Sequence, residues 1–159
     1  MKPEDFGIGK YKFNSDGTLD VFQDVKLYYK NLIKLPFEFG KIDGNFDCSS
    51  NNLTSLKGAP KIVNGNFDCH WNKLKYLKSA LEIVNGEYNC SHNNLTSLEG
   101  APEEVNGDFW CSFNQLKSLK GLNLDNISGE VYVHRNINLK LTEKEKLWAT
   151  LNPGRLILK

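Results

Sequence analysis

No stretch of about 20 apolar residues occurs in the 159-residue chain, so nothing in it reads as a membrane-spanning helix. Charge of one sign is also missing. Twenty Lys and Arg stand against 19 Asp and Glu, a net +1, so no overall field draws the chain to nucleic acid or to an anionic membrane. Histidine is scarce, at three residues, and the four cysteines match no zinc-ligand spacing, so the expectation is no metal and no cofactor. The opening MKPEDFGIGK lacks the apolar core of a secretory leader. Thiols read as free suit a reducing compartment, and the expected location is the cytoplasm.

What the chain does have is a period. Cys48, Cys69, Cys90 and Cys111 lie 21 residues apart, and each is followed three residues later by Asn51, Asn72, Asn93 or Asn114. A fixed period of this size means a solenoid, with one coil per period. The coils begin at Gly44, Gly65, Gly86 and Gly107, and a degenerate one follows from Gly129 with Val133 and Asn136 in the Cys and Asn places. One more precedes them, in which Val25, Leu27, Leu32, Leu35 and Ile42 match Phe46, Cys48, Leu53, Leu56 and Val63. The count is six coils, from about Gln23 to Leu141.

Within a coil, Phe46 and Cys48 alternate with polar residues, the sign of a short strand with one buried face. Leu53 and Leu56 are three apart, which suits a turn or a single 3₁₀ step. Gly-Ala-Pro at 58–60 and 100–102 then bends the chain back. The cysteines read as small buried hydrophobes, and the asparagines as a ladder that satisfies backbone groups where the strand turns.

The ends depart from the repeat, as they must where a solenoid's terminal cores need covering. Residues 1–22 read as a hairpin cap, with Asn14-Ser15-Asp16-Gly17 supplying the turn between Lys10–Phe13 and Thr18–Phe22. Residues 142–159 read as a helix and strand cap. Thr142 and Glu145 form a capping box, the helix is expected from 143 to about 151, and Leu147, Trp148 and Leu151 are its expected buried face. Arg155–Lys159 reads as a last edge strand. The whole is one domain.

The core Phe46-x-Cys48-x-x-Asn51-x-Leu53-x-x-Leu56 resembles the leucine-rich repeat, LxxLxLxxNxL, with Cys in one leucine place. The short period and the Pro after the second leucine look like bacterial short-coil members of that family. The opening YKFNSDGTLDVFQDVKLYYKNLIKLPFEFGKIDG is similar to small leucine-rich-repeat proteins of tailed bacteriophages. One departure is the first leucine of the consensus, whose place holds Asp43, Asn64, Asn85 and Asn106. The resemblance implies an α/β-type solenoid, mostly strand and loop, with a parallel concave sheet of about six short strands. It also implies that the outward strand face is the binding face.

Stacked strands stand about 4.8 Å apart, so outward residues form columns along the solenoid. The first holds Asp24, Asn45, Asn66, Glu87, Asp108 and Glu130, and the second Lys26, Asp47, Asp68, Asn89, Trp110 and Tyr132. The third holds Tyr28, Ser49, His70, Ser91, Ser112 and His134, and the fourth Tyr29, Ser50, Trp71, His92, Phe113 and Arg135. All three histidines and two of the three tryptophans fall here. Aromatics beside polar groups are the usual composition of a recognition surface. The candidate partner-binding residues are therefore Tyr28, Tyr29, Asp47, Asp68, His70, Trp71, Glu87, His92, Asp108, Trp110, Phe113, Tyr132, His134 and Arg135. Lys57, Lys73, Lys75, Lys78, Lys117 and Lys120 collect on the outgoing edge instead.

No nucleophile with a positioned base is visible, and every cysteine points inward, so the chain is not expected to be an enzyme. The expected function is capture of a protein partner, a bacterial host protein if the phage resemblance holds, with inhibition or redirection of a host or defence activity as the result. The alternative is a structural, assembling or self-associating virion protein. Binding of nucleic acid through the lysine edge is a weaker third reading, because no aromatics are interleaved with those lysines.

Overall fold

Strands form where the alternation of Phe and Cys puts them. In the computed structural model, which describes residues 1–79 and 81–158, Phe46–Asp47, Phe67–Asp68, Tyr88–Asn89, Phe109–Trp110 and Val131–Tyr132 pair side by side, parallel and in register. Val25–Lys26 extends this sheet at one end and Leu156–Ile157 at the other, which makes seven strands. The chain is a mostly-β parallel solenoid of about seven turns. The added turn comes from the C-terminal segment, which carries no repeat. Ala80 and Lys159 lie outside the described residues, so the expected edge strand is seen only as Leu156–Ile157.

The molecule has two sheets where the sequence reading expects one. Ile62–Val63, Ile83–Val84 and Glu104–Val105 pair parallel with one another and with Phe39–Ile42. Leu19–Val21 joins them and turns back antiparallel onto Tyr11–Phe13, completing six strands. The residues just before each repeat glycine are thus a strand of their own, and the polypeptide turns a corner at Asn-Gly between the two sheets. This accounts for the departure from the leucine-rich consensus. At that corner Asn64 Nδ2 donates to Asp43 Oδ1 at 3.0 Å, Asn85 to Asn64 at 3.1 Å and Asn106 to Asn85 at 3.0 Å. A leucine there would break a ladder of hydrogen bonds at an exposed turn.

Inside, the Phe column becomes a stack. Phe46, Phe67, Tyr88 and Phe109 follow one another at 5.3, 5.4 and 5.1 Å between ring centroids, with interplanar angles of 8°, 11° and 23°. Beside it run the four cysteines, all free and buried, and the leucine pairs. The Tyr88 hydroxyl, fully buried, meets the Cys69 thiol. Burial pushes the thiols of Cys48, Cys69, Cys90 and Cys111 well up, so they remain protonated. At the turn after the leucines, Gly100 has φ +87°, and a Cβ there would stand 2.8 Å from the Lys78 backbone nitrogen. The turn therefore requires glycine both for its handedness and for the closeness of the neighbouring coil.

The asparagine column holds the other corner. Asn93 Oδ1 accepts from Leu74 N–H at 3.0 Å, and its Nδ2 donates to the carbonyls of Cys69, Cys90 and Ser91 at 3.1, 3.2 and 3.2 Å. Asn51, Asn72 and Asn114 repeat this pattern, and Asn136 bonds Leu116, Cys111 and Val133. Each amide therefore binds its own coil and the one before it.

The helix Glu143–Leu151 carries the Thr142–Glu145 capping box, with Thr142 N–H donating to Glu145 Oε2 at 2.6 Å. Its buried face differs from the expectation. Leu147 and Leu151 are exposed, at 59% and 71%, and Trp148 alone of the three is buried. Polar contacts choose this face. Trp148 Nε1 donates to Asp125 Oδ1 at 2.9 Å, and the Glu145 carboxylate, turned inward, accepts from Leu119 N–H at 3.1 Å. The Arg155 guanidinium packs over the Trp148 ring at 5.2 Å and donates to the Gly129 carbonyl. Among the described residues no helix is long and apolar enough to cross a membrane.

Two predictions follow from this packing. Asn93→Ala should lower unfolding free energy in urea by about 1–3 kcal/mol, because Leu74 N–H loses its acceptor outright while the carbonyls of Cys69, Cys90 and Ser91 each keep a second donor, from Asn72, Asn114 and Trp71. Native-state thiol reagents should leave all four cysteines unmodified until the protein unfolds, and Cys90→Ser should cost about 1–3 kcal/mol, toward the lower end because the Trp110 carbonyl, 3.3 Å from the Cys90 thiol, offers the hydroxyl an acceptor in an otherwise apolar column.

Candidate binding face

The strand does not end at a glycine. The residue before each ladder asparagine has left-handed backbone, as does Tyr29 before Lys30, which holds that place in the first coil: Tyr29, Ser50, Trp71, His92, Phe113 and Arg135 have φ between 52° and 59°. For bulky side chains this conformation costs about 1–3 kcal/mol and survives only where surrounding contacts impose it. Here they do. Ser50 N–H still donates to the His70 carbonyl at 3.0 Å, His92 to Ser112 at 3.0 Å and Phe113 to His134 at 3.0 Å, so the inter-coil ladder runs through the turn. The asparagine amide closes it on the other side. The whole fourth column is thus held at one backbone geometry and projects from the corner of the solenoid.

Along that corner the rings stack. Trp71 and His92 lie 4.8 Å apart at 20°, and His92 and Phe113 lie 4.2 Å apart at 12°. His134 closes the row edge-on to Phe113 at 5.4 Å. Trp71 and Phe113 are 58% and 42% exposed. Trp110 pairs instead with Tyr132 in the second column, at 3.6 Å and 1°. The two aromatic rows face each other across a shallow depression of about 290 Å³ that is floored by His70, Ser91, Ser112 and His134. The Ser91 hydroxyl in this floor is buried and has no hydrogen-bond partner among the described residues.

The structure does not bring all candidate residues together. Tyr28 and Tyr29 meet edge-on at 6.1 Å but stand toward the N-terminal end, separated from Trp71 by Ser49 and Ser50. Arg135 is exposed beyond Phe113 at the other end. The third column is less open than strand alternation suggests: Ser49, Ser91 and Ser112 are buried between their larger neighbours.

The acids also have structural duties that sequence did not reveal. Asp24, Asn45 and Asn66 each accept, through Oδ1, the backbone N–H of the next coil's equivalent residue at 2.8–2.9 Å, and Asp108 does the same for Glu130. Glu87 is exposed in the same column. Asp47, Asp68 and Asn89 accept the N–H two residues on, at 2.9–3.0 Å. The fold therefore asks for a side-chain oxygen at these places, which asparagine supplies as well as aspartate, and the charge of the aspartates is additional to that duty.

The histidines differ. His70 Nδ1 lies 2.6 Å from Asp68 Oδ1, and this hydrogen bond holds its pKa above the ordinary value. Burial pushes His92 below it, helped by the neighbouring His70 and His134. Ser112 Oγ and His134 Nδ1 are 2.9 Å apart, so one Ser–His pair and one Asp–His pair exist, in different coils and not joined. Tyr132 donates to Glu130 Oε2 at 2.6 Å, which raises its pKa to about 12. Among the described residues no three His, Cys, Asp or Glu side chains cluster as metal ligands.

None of the protein-family models, curated proteins or solved structures compared with this chain matches it. The face has to be read from its own chemistry.

In an NMR titration His70 should show a midpoint above, and His92 one below, the free value of 6.5. Asp68→Asn should lower the His70 midpoint while keeping the Oδ1 acceptor for His70 N–H. The linkage signs are opposite. The His70 contribution to stability is complete below about pH 6.5 and is lost as pH rises through its raised midpoint. That of His92 is present above about pH 6.5 and is lost as pH falls through its lowered midpoint.

Proposed function

We propose that this chain is a non-enzymatic binding protein that captures a protein partner on the outward face of the seven-stranded sheet. The observation that carries the reading is the aromatic row Trp71–His92–Phe113, held on left-handed backbone at the corner of the solenoid and partly exposed. Stacking through His92 fixes these rings, and with Trp110 they line the depression that a partner would enter. Fixed aromatics lose little entropy on binding, which makes them effective anchors. The like charge of Asp47, Asp68 and Glu87 disfavours a phosphate backbone on this face.

The repeat core's likeness to leucine-rich repeats supports the same use of the sheet face. The opening segment's likeness to small tailed-phage proteins extends the proposal: the partner is a bacterial host or defence protein, met in the host cytoplasm, and binding inhibits or redirects it. A second reading, self-association, is favoured by one observation, the strand Leu156–Ile157, which is the outer edge of the seven-stranded sheet among the described residues. Light scattering separates the two, because a monomer at all concentrations removes self-association.

With a partner retained from bacterial lysate, Trp71→Ala combined with Trp110→Ala should weaken binding by about 2 kcal/mol or more while leaving the thermal unfolding curve cooperative. Replacing Lys57, Lys78 and Lys120 together should change affinity by under about 1 kcal/mol. Loss of binding in the lysine variant with retention in the tryptophan variant would move the interface to the lysine flank.

A further inference from the structure

The aromatic row lacks one member. Its column runs Tyr29, Ser50, Trp71, His92 and Phe113, all at the same backbone geometry, and Ser50 is the one small side chain among them. One face of Trp71 is covered by His92 at 4.8 Å, and on its other side Trp71 and Tyr29, whose ring is edge-on to Tyr28, line one depression over Ser50. Tyr29 and Trp71 are two coil spacings apart, about 9.6 Å. Carbon atoms in contact stand about 3.5–4.0 Å apart, so this is room for one planar group and not for two. The space is real: a depression of about 450 Å³ is lined by Tyr29, Asn31, Ser50, Asn52, His70 and Trp71.

The rim of this slot is polar in a particular way. Asp47 and Asp68, register neighbours in adjacent strands, stand behind His70, which lines the slot: Asp68 Oδ1 is 2.6 Å from His70 Nδ1, and the Asp47 charge also acts on that imidazole. Asp68 is paired with His70, whereas Asp47 forms no ion pair among the described residues, although Lys26 stands in register with it. Asn31 and Asn52 add amide oxygens at the opening. A thin planar group that carries positive charge and donates hydrogen bonds around its edge matches walls, floor and rim together. An aromatic side chain would fill the thickness and leave the acceptors and the Asp47 carboxylate unanswered. An ammonium has the charge without the flat shape.

We propose that the slot between Tyr29 and Trp71 takes the guanidinium of an arginine side chain of the protein partner, stacked over Ser50 as the missing member of the aromatic row. The proposal rests on the binding reading above and names its chemistry. Guanidinium stacks on aromatic faces and carries five N–H donors in its plane, so both walls and rim are used at once.

The fold supplies an unusually clean test. Phe113 occupies the same left-handed backbone as Ser50, with φ of 54° against 52°, so Ser50→Phe needs no backbone change. It should fill the slot, extend the stack and leave the melting temperature unchanged or higher. The probe is acetyl-Gly-Arg-Gly-amide, followed by NMR on the Trp71 indole N–H, which is assigned by its loss in Trp71→Phe. The arginine peptide should give a saturable shift, with the lysine counterpart and Ser50→Phe each weaker by at least about tenfold. If Ser50→Phe folds poorly, Trp71→Leu removes one wall and should weaken binding to the same degree, read on the Asn52 side-chain amide. The proposal is overturned if the arginine peptide gives no saturable shift or binds either variant as it binds wild type. It is equally overturned if acetyl-Gly-Trp-Gly-amide or adenosine monophosphate binds more tightly. A captured partner separates this from the wider reading: affinity lost with Trp110→Ala but unchanged in Ser50→Phe refutes the slot alone, and affinity unchanged in both refutes the face as well.

Discussion

The buried asparagine amide is the interaction on which the rest of this structure depends. Each strand of the seven-stranded sheet is only two residues long, too short to fix its own direction. The amide of Asn72, Asn93 or Asn114 binds the carbonyl of the cysteine in its own coil and of the cysteine one coil back, and accepts from a leucine N–H. Each cysteine carbonyl is thereby held by two successive asparagines, and the leucine N–H by one alone, so in an apolar interior the corner admits one geometry. The left-handed residue just before the asparagine, the stacked phenylalanines behind the strand and the alignment of the outward columns all follow from that geometry.

Because the corner is imposed by the asparagine and by the inter-coil ladder, the residue at its apex is free to vary. Glycine would relieve the backbone there, yet the column holds Tyr, Ser, Trp, His, Phe and Arg. Four of the six are aromatic or imidazole side chains, and the central three stack. Stacking returns some of the conformational cost, at about 0.5–1.5 kcal/mol for each pair. It also builds a rigid row with solvent-facing edges. The adjoining acidic columns contribute differently. Their carboxyl and amide oxygens alike cap backbone N–H groups, so the coils need an acceptor there and the aspartate charge goes beyond that need. In the proposed function, recognition falls chiefly on the aromatic rows, with the carboxylates setting the charge of what can approach.

Several elements could be read directly from the residues. The 21-residue register placed the strands at Phe46, Phe67, Tyr88 and Phe109 and the cysteines in the core, because burial and period leave little choice. The capping box at Thr142 likewise marked the helix start, since its two hydrogen bonds are local. The second sheet was hidden because Ile62–Val63 and its equivalents are two residues long, too short to show alternation. The buried face of the helix was misread for a different reason: Asp125 and Leu119 N–H, distant in sequence, select Trp148 and Glu145 over the leucines. The left-handed corner carries no glycine to announce it. Among the candidate residues, the columns already set Trp110 beside Tyr132 and Ser50 between Tyr29 and Trp71, but ring stacking depends on side-chain rotation, which the repeat does not encode.

The account's central claim is that recognition occurs at the outward face of the seven-stranded sheet and along its aromatic corner. Amide hydrogen exchange, measured on the protein alone and with a captured partner, tests this most directly. The account predicts added protection over residues 67–71, 88–92 and 109–113, with little change at Lys57, Lys73, Lys78, Lys117 and Lys120. Protection confined to that lysine flank, or to the six-stranded sheet at 62–63, 83–84 and 104–105, would contradict it.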